Sequence, residues 1–229
     1  QQIMLPSRRS ETGPTEKARW HDCVVPTPST RWDVDRFSDS VDADQVRFGV
    51  YLRDVFDFDT SLFRISVAEE CSMDPQHRAI LEAAWPLQYR SRLPTRTCVM
   101  TGIGTSDYIQ HITSVPPDGY FASGCAGSVS SGRLSYLFNL SGPSAAVDTA
   151  CSSSSVALHL AFREVKSGVC DCGIASGVNA ILSPRKTLMF SLSGMLSSDG
   201  RCKTLDASAN GYVRSESCTA VLIQPSDKS

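Results

Sequence analysis

Hydrophobic and polar positions follow two regimes along this chain. Up to about residue 70 no period holds. Residues 1–30 mix Pro, Ser, Thr and Arg and read as an irregular arm, and Trp32 to Phe63 sets isolated aromatics among eight aspartates. Spread through turns, those carboxylates predict a solvated acidic face rather than a metal site. From Asp74 the pattern sharpens. Asp74-Pro75 is a helix N-cap with proline at the first helical position; Ile80, Leu81, Ala84 and Trp85 form an apolar stripe, and Pro86 predicts the stop. Cys98 to Gly104 reads as a buried strand breaking into a glycine turn. A helix over Gly127–Leu137 leads to a short strand at Ala145–Val147. A helix over Ser155–Lys166, closed by Gly168, precedes strands at Cys172–Val178 and Thr219–Ile223. In the Ser155–Lys166 helix, Val156, Ala157, Leu158, Leu160, Ala161 and Phe162 leave no wide polar stripe, which predicts burial on nearly all sides. Strands alternating with helices predict one α/β layered domain over residues 31–229.

Composition narrows the function classes. The 229 residues are 41% hydrophobic and 20% charged, with net charge −2, as in an ordinary globular chain. There is no basic surplus for nucleic acid and no apolar run near the ~20 residues of a membrane span. The chain opens without an initiator methionine or signal-peptide core, and both ends read as cuts through a longer protein. Nine cysteines at irregular spacing, with no CxxC pair, argue against a disulfide framework or zinc knuckle. They point to a reducing, cytoplasmic setting in which most thiols are small buried hydrophobes.

One cysteine stands apart. Residues 142–161 read as strand, sharp turn and helix with Cys151 at the bend, followed by four serines. A thiol there faces unpaired backbone N–H groups and the positive end of the helix dipole, which favour the thiolate that attacks carbonyl carbon. The same amides can hold the resulting oxyanion. This is a nucleophile elbow with sulfur in place of the hydroxyl. The small serines permit a tight turn and leave room for an acyl chain.

The segment DTACSSSSVALHLA (148–161) resembles the active-site signature of β-ketoacyl synthases, the ketosynthase domains of modular polyketide synthases and type I fatty acid synthases. The likeness extends through RWDVDRF (31–37), VFDFDTSLFRIS (55–66), MDPQHRAILEAAW (73–85), GRLSYLFNLSGPS (132–144), CDCGIASGVNAILSP (170–184) and GMLSSDGRCKTLDASANGYVRSESCTAVLI (194–223). It covers about Arg31 to Ile223 in family order. The resemblance implies the N-terminal half of a thiolase-like α/β fold, whose complete form stacks five layers, α-β-α-β-α, and forms a homodimer. It implies that Cys151 is the acyl-accepting nucleophile and that its own N–H is one oxyanion donor. It implies no bound cofactor or metal; substrates arrive on the phosphopantetheine arm of an acyl carrier protein. A malonyl-type extender then loses carbon dioxide and condenses with the acyl-cysteine.

The family's two decarboxylating histidines sit in HGTGT and NIGH motifs, and neither motif is in these residues. The four histidines are His21, His77, His111 and His159; His77 replaces a glutamine of the family helix. None lies in a matching motif, so none is assigned as a general base. The family's GEG reads Ser215-Glu216-Ser217, which predicts crowding by the added side chains, and its TG pair reads Ser123-Gly124. The main alternative is a non-catalytic, truncated protomer that binds a complete ketosynthase. A papain-like hydrolase gains little support from the motif order.

Overall fold

The structure, a computed structural model, describes residues 22–37, 43–104, 106–112 and 118–225. Most of the predicted arm, together with His21, Asp39 and Asp42, lies outside them. The strands are β1 (Val25–Pro26), β2 (Phe48–Gly49), β3 (Thr97–Ile103), β4 (Ser144–Val147), β5 (Cys172–Asn179) and β6 (Ser217–Ile223). The longer helices are interleaved with short ones: α1 (Ala43–Val46), α2 (Thr60–Phe63), α3 (Val67–Ser72), α4 (Pro75–Ser91), α5 (Tyr108–Ile112), α6 (Phe121–Cys125), α7 (Val129–Leu137), α8 (Ser153–Lys166) and α9 (Pro184–Leu192). The chain divides into two compact units, one holding Arg53–Ala180 and the residues from Ser217, the other running to Leu52 and from Ile181 to Glu216.

In the first unit four strands pair in the order β4-β3-β5-β6. The β3 strand runs parallel to β4 and β5, and β6 closes the edge antiparallel to β5. Side chains alternate across this sheet with the period of two that a strand imposes. Val99, Ile103, Ile174 and Ala220 join the core under α4 and α7. Cys98, Met100 and Ala175 face the other way, onto Ala157 and Ala161 of α8. Every residue of β3 is buried, as expected of a central strand covered on both faces.

The α4 helix starts where the sequence places it. The Asp74 carboxylate accepts the Gln76 N–H at 2.8 Å and Pro75 opens the first turn. It does not stop at Pro86. The helix continues to Ser91 and ends at Arg92, whose left-handed φ of 44° lets its N–H reach the Gln88 carbonyl. Proline removes one helical hydrogen bond, but Ile80, Leu81 and Ala84 before it are fully buried and Leu87 after it packs on the same core. Tertiary packing on both sides of the proline carries the helix through.

Helix α8 also departs from expectation, since it is not buried all round. Only Ser153, Ala157 and Ala161 are buried, while Leu158 and Phe162 are 45% and 48% exposed. A single sheet covers one face of a helix, and this sheet takes the face made of small residues. Among the aspartates predicted to form an acidic surface, Asp33, Asp35, Asp44, Asp54, Asp57 and Asp59 are all exposed. No group of three potential metal ligands gathers among the described residues.

In the second unit β1 pairs antiparallel with β2, so Val25 and Pro26 leave the irregular arm for a short ladder. Glu216 anchors this unit. Its buried carboxylate accepts the Leu52 N–H at 2.7 Å, the Ile181 N–H at 2.8 Å and Arg31 Nη2 at 3.0 Å. A buried charge this well paired is costly to break from either side. Ser215 and Ser217, the side chains that flank Glu216, are both exposed.

One buried group in the first unit is poorly matched. His77 is 2% exposed, and neither ring nitrogen meets a hydrogen-bond partner among the described residues. Burial, reinforced by the Arg133 guanidinium and opposed by Asp74, pulls its pKa down to about 4. The unfolded chain therefore takes up a proton near pH 6.5 that the folded chain refuses until about pH 4. Stability falls as pH drops through that window. Urea unfolding at pH 7 and pH 4.5 should show the native chain losing about 2–3 kcal/mol more than His77→Gln. Parallel losses in the two proteins would contradict this assignment.

Candidate active site

The turn between β4 and α8 is built by its own polar side chains. Ala150 adopts a left-handed φ of 55°, a strained conformation for a residue with a Cβ. Three contacts hold it there. The Asp148 carboxylate accepts the Ala150 N–H at 3.1 Å, and Ser153 Oγ donates to the Ala150 carbonyl at 2.7 Å. Ser153 Oγ also accepts the Thr149 N–H at 2.9 Å. Ser152 Oγ lies 2.8 Å from the Thr149 carbonyl. Three residues of 3₁₀ helix, Ala150–Ser152, then lead into α8, with Cys151 exposed on the bend. Ser152 places no side-chain oxygen on the first-turn amides of α8; its own N–H donates to the Thr149 carbonyl and that of Ser153 to the Ala150 carbonyl. Arg163 and Lys166 occupy the last turn, the favoured end for cations.

The sheet sets how deep this turn sits. Gly102 of β3 stands opposite Gly177 of β5 in the parallel register. A Cβ on Gly102 would lie 2.5 Å from the Ser154 nitrogen, and one on Gly177 would lie 2.5 Å from the Ser154 Cβ. The start of α8 thus rests directly on strand backbone. Farther along, Ala157 and Ala161 continue the contact, and a Cβ on Gly173 would meet Ala161 at 3.3 Å. An isolated glycine in a strand marks a close approach of this kind, and that was the available sequence signal.

A cavity of 410 Å³ opens at the carboxyl ends of β3 and β4, lined by Ile103, Gly104, Ile109, Cys125, Ala146 and Asp148 among others. Its wall is more apolar than polar and includes the aspartate that fixes Ala150. No period or motif in the sequence marks this cavity, because its lining comes from three separated segments.

The described histidines sit in varied surroundings. His159 is exposed and lies two turns along α8, about 12 Å from Cys151 by helical rise. His77 is sealed inside α4, and the His111 ring is occupied by Tyr108 and Phe56. The other thiols divide by burial. Cys98, Cys125, Cys170 and Cys172 are buried and Cys218 is half-buried, whereas Cys23, Cys71 and Cys202 are exposed like Cys151. Burial pushes the Cys98 thiol up to about 12 and raises those of Cys125 and Cys172.

A layered α/β domain with an exposed cysteine on a strained strand-to-helix turn is the architecture of thiolase-like enzymes. The family model "Beta-ketoacyl synthase, N-terminal domain" matches residues 18–229. A phenolphthiocerol/phthiocerol polyketide synthase of Mycobacterium tuberculosis is 38% identical over 213 residues, 88% of this chain and 14% of the relative. Polyketide synthase GfsB of Streptomyces halstedii is 39% identical over 217 residues, 89% of this chain and 4% of the relative. Among solved structures, an oxazolomycin ketosynthase domain of Streptomyces albus superposes with a TM-score of 0.80 at 35% identity, covering 90% of this chain and 38% of the other. The module 6 ketosynthase of the Bacillus subtilis bacillaene synthase gives 0.79 at 31% identity, covering 89% and 35%. The chain belongs to the β-ketoacyl synthase family, as an N-terminal domain of the polyketide synthase kind. It spans a small part of the curated relatives and about a third of the solved ketosynthase chains.

The seating of α8 is testable. Gly102→Ala should cost about 1–3 kcal/mol in thermal or urea unfolding and slow alkylation of Cys151 relative to Cys23. Gly132→Ala, on α7 with open space around the site, should hold or raise stability and leave the alkylation ratio unchanged. An unperturbed Gly102→Ala protein would overturn the close-approach account.

Proposed function

We propose that this chain provides the acyl-accepting nucleophile of a ketosynthase, and that Cys151 is that nucleophile. The observation that carries the reading is the exposure of Cys151 on the left-handed turn at the start of α8. In the proposed reaction the sulfur attacks the thioester carbonyl of an acyl group held on the phosphopantetheine arm of an acyl carrier protein. The new C–S bond pushes the carbonyl electrons onto oxygen, where the Cys151 N–H donates to them. Collapse re-forms the carbonyl and expels the pantetheine thiolate, which takes up the proton lost by Cys151. The product is an acyl-cysteine. The cavity bounded by Asp148 and Ile103 offers an apolar wall near the same turn.

The second stage is decarboxylation of a malonyl-type extender and attack of its carbanion on the acyl-cysteine, in polyketide or fatty acid synthesis. The family's two histidine motifs are not among these residues, and none of His77, His111 and His159 lies in a matching motif. Each missing electrostatic donor typically lowers the rate by ~10²–10³. Acyl transfer without condensation is therefore the proposed competence of the 229 residues by themselves. The proposed setting is the cytoplasm, with an acyl carrier protein and either a second copy or the remainder of a polyketide synthase as partners.

The purified chain should be given an acyl-carrier protein and malonyl-carrier protein together. The expected result is an acyl adduct on Cys151, absent in Cys151→Ala, with no carbon dioxide release and no β-ketoacyl product. Steady condensation abolished by Cys151→Ala would overturn the division of labour. Absence of any adduct on Cys151 would favour the non-catalytic protomer.

A further inference from the structure

The turn chemistry accounts for Cys151, but it leaves a second feature of the thiols unused. Cys98 and Cys170 come from distant parts of the sequence, are 0% and 3% exposed, and share the small core under α8 with Met100, Ala157, Ala161 and Ala175. We propose that Cys98 and Cys170 form a redox-convertible pair, closing to an intrachain disulfide that ties β3 to the start of β5 beneath α8. Both are reduced thiols in the structure.

Three placements support the pairing. Cys98 lies opposite Gly173 in the β3/β5 register, and the missing side chain there makes room for its sulfur, which would sit 3.0 Å from a Cβ at that position. The backbone leading into β5 is pinned beside β3 and α8, with the Asp171 N–H on the Arg96 carbonyl at 2.9 Å and the Cys170 N–H on the Glu164 carbonyl at 3.2 Å. The two thiols are close enough to act on each other directly; after burial, Cys170 is the next cause of the raised Cys98 pKa. The exposed turn Ser167–Val169, with Gly168 at φ 75°, leads into Cys170; Arg96 Nη2 holds its Gly168 and Val169 carbonyls at 2.9 Å, so release of that surface contact is the movement that brings the sulfurs to bonding distance.

The chemistry balances with a named oxidant. Two thiols lose two hydrogens and form one S–S bond, while an azodicarboxamide such as diamide gains both and becomes the hydrazine; an organic hydroperoxide would instead yield its alcohol and water. Burial that holds Cys98 protonated makes the reaction slow in the closed fold, so it proceeds through local opening at the end of α8. Closed, the bridge restricts the unfolded chain and holds β3 against β5.

The test is diamide treatment of the native 229-residue chain, followed by denaturing alkylation and non-reducing peptide mapping. The expected product is one linked pair of peptides containing Cys98 and Cys170, a raised melting temperature reversed by dithiothreitol, and faster formation in mild urea. The link should vanish in Cys98→Val and in Cys170→Ala, each checked for native circular dichroism. Recovery of both residues as alkylated thiols would overturn the proposal. A statistical mixture of pairings would overturn it equally, because the fold would then not be choosing the partners. Neither result bears on acylation of Cys151.

Discussion

The depth at which α8 meets the sheet depends on two strand positions with no side chain. Gly102 and Gly177 face each other across β3 and β5, and the first turn of α8 fills the space their side chains would take. Ser153, Ala157 and Ala161 repeat every four residues on the helix, so the contact stays close over about two turns. With the helix start fixed from below, the link back to β4 has very few residues in which to reverse. Ala150 takes the strained conformation, and Asp148 and Ser153 stabilise it. The exposed thiol results from that constraint.

Two buried charges elsewhere are fully matched. Glu216 in its unit and Arg78 in the other are each surrounded by partners. Arg78 donates to the carbonyls of Met73 and Phe56 at 2.9 Å and to that of Glu70 at 2.8 Å, and it pairs with the Glu70 carboxylate. Such groups specify where loops cross, since losing one partner leaves a charge stranded in low dielectric. His77 lacks this support. Neither ring nitrogen of this buried imidazole meets a hydrogen-bond partner among the described residues.

The α/β class, the N-cap at Asp74, the strands about Val99, Ala146 and Ile174 and the special place of Cys151 were legible in the sequence. Each depends on local pattern: a capping residue before a proline, a run of strand-forming side chains, a turn before a helix. What was not legible depends on the far side of a contact. Pro86 looked like a stop because the packing of Ile80, Leu81 and Leu87, which outweighs its missing hydrogen bond, leaves no mark in the local pattern. Helix α8 looked buried all round because its composition is apolar, yet one sheet covers only its small-residue face. The cavity and the Arg31–Glu216 pair join segments far apart in the chain, and no period records them.

The turn at the start of α8 should make Cys151 the most reactive sulfur of the chain. Limiting iodoacetamide at neutral pH, quantified thiol by thiol by peptide mass spectrometry on the native chain, measures this directly. Cys151 should be modified first, ahead of the equally exposed Cys23, Cys71 and Cys202, with the buried Cys98, Cys125, Cys170 and Cys172 last. Clear precedence of Cys71 or Cys202 over Cys151 would contradict it.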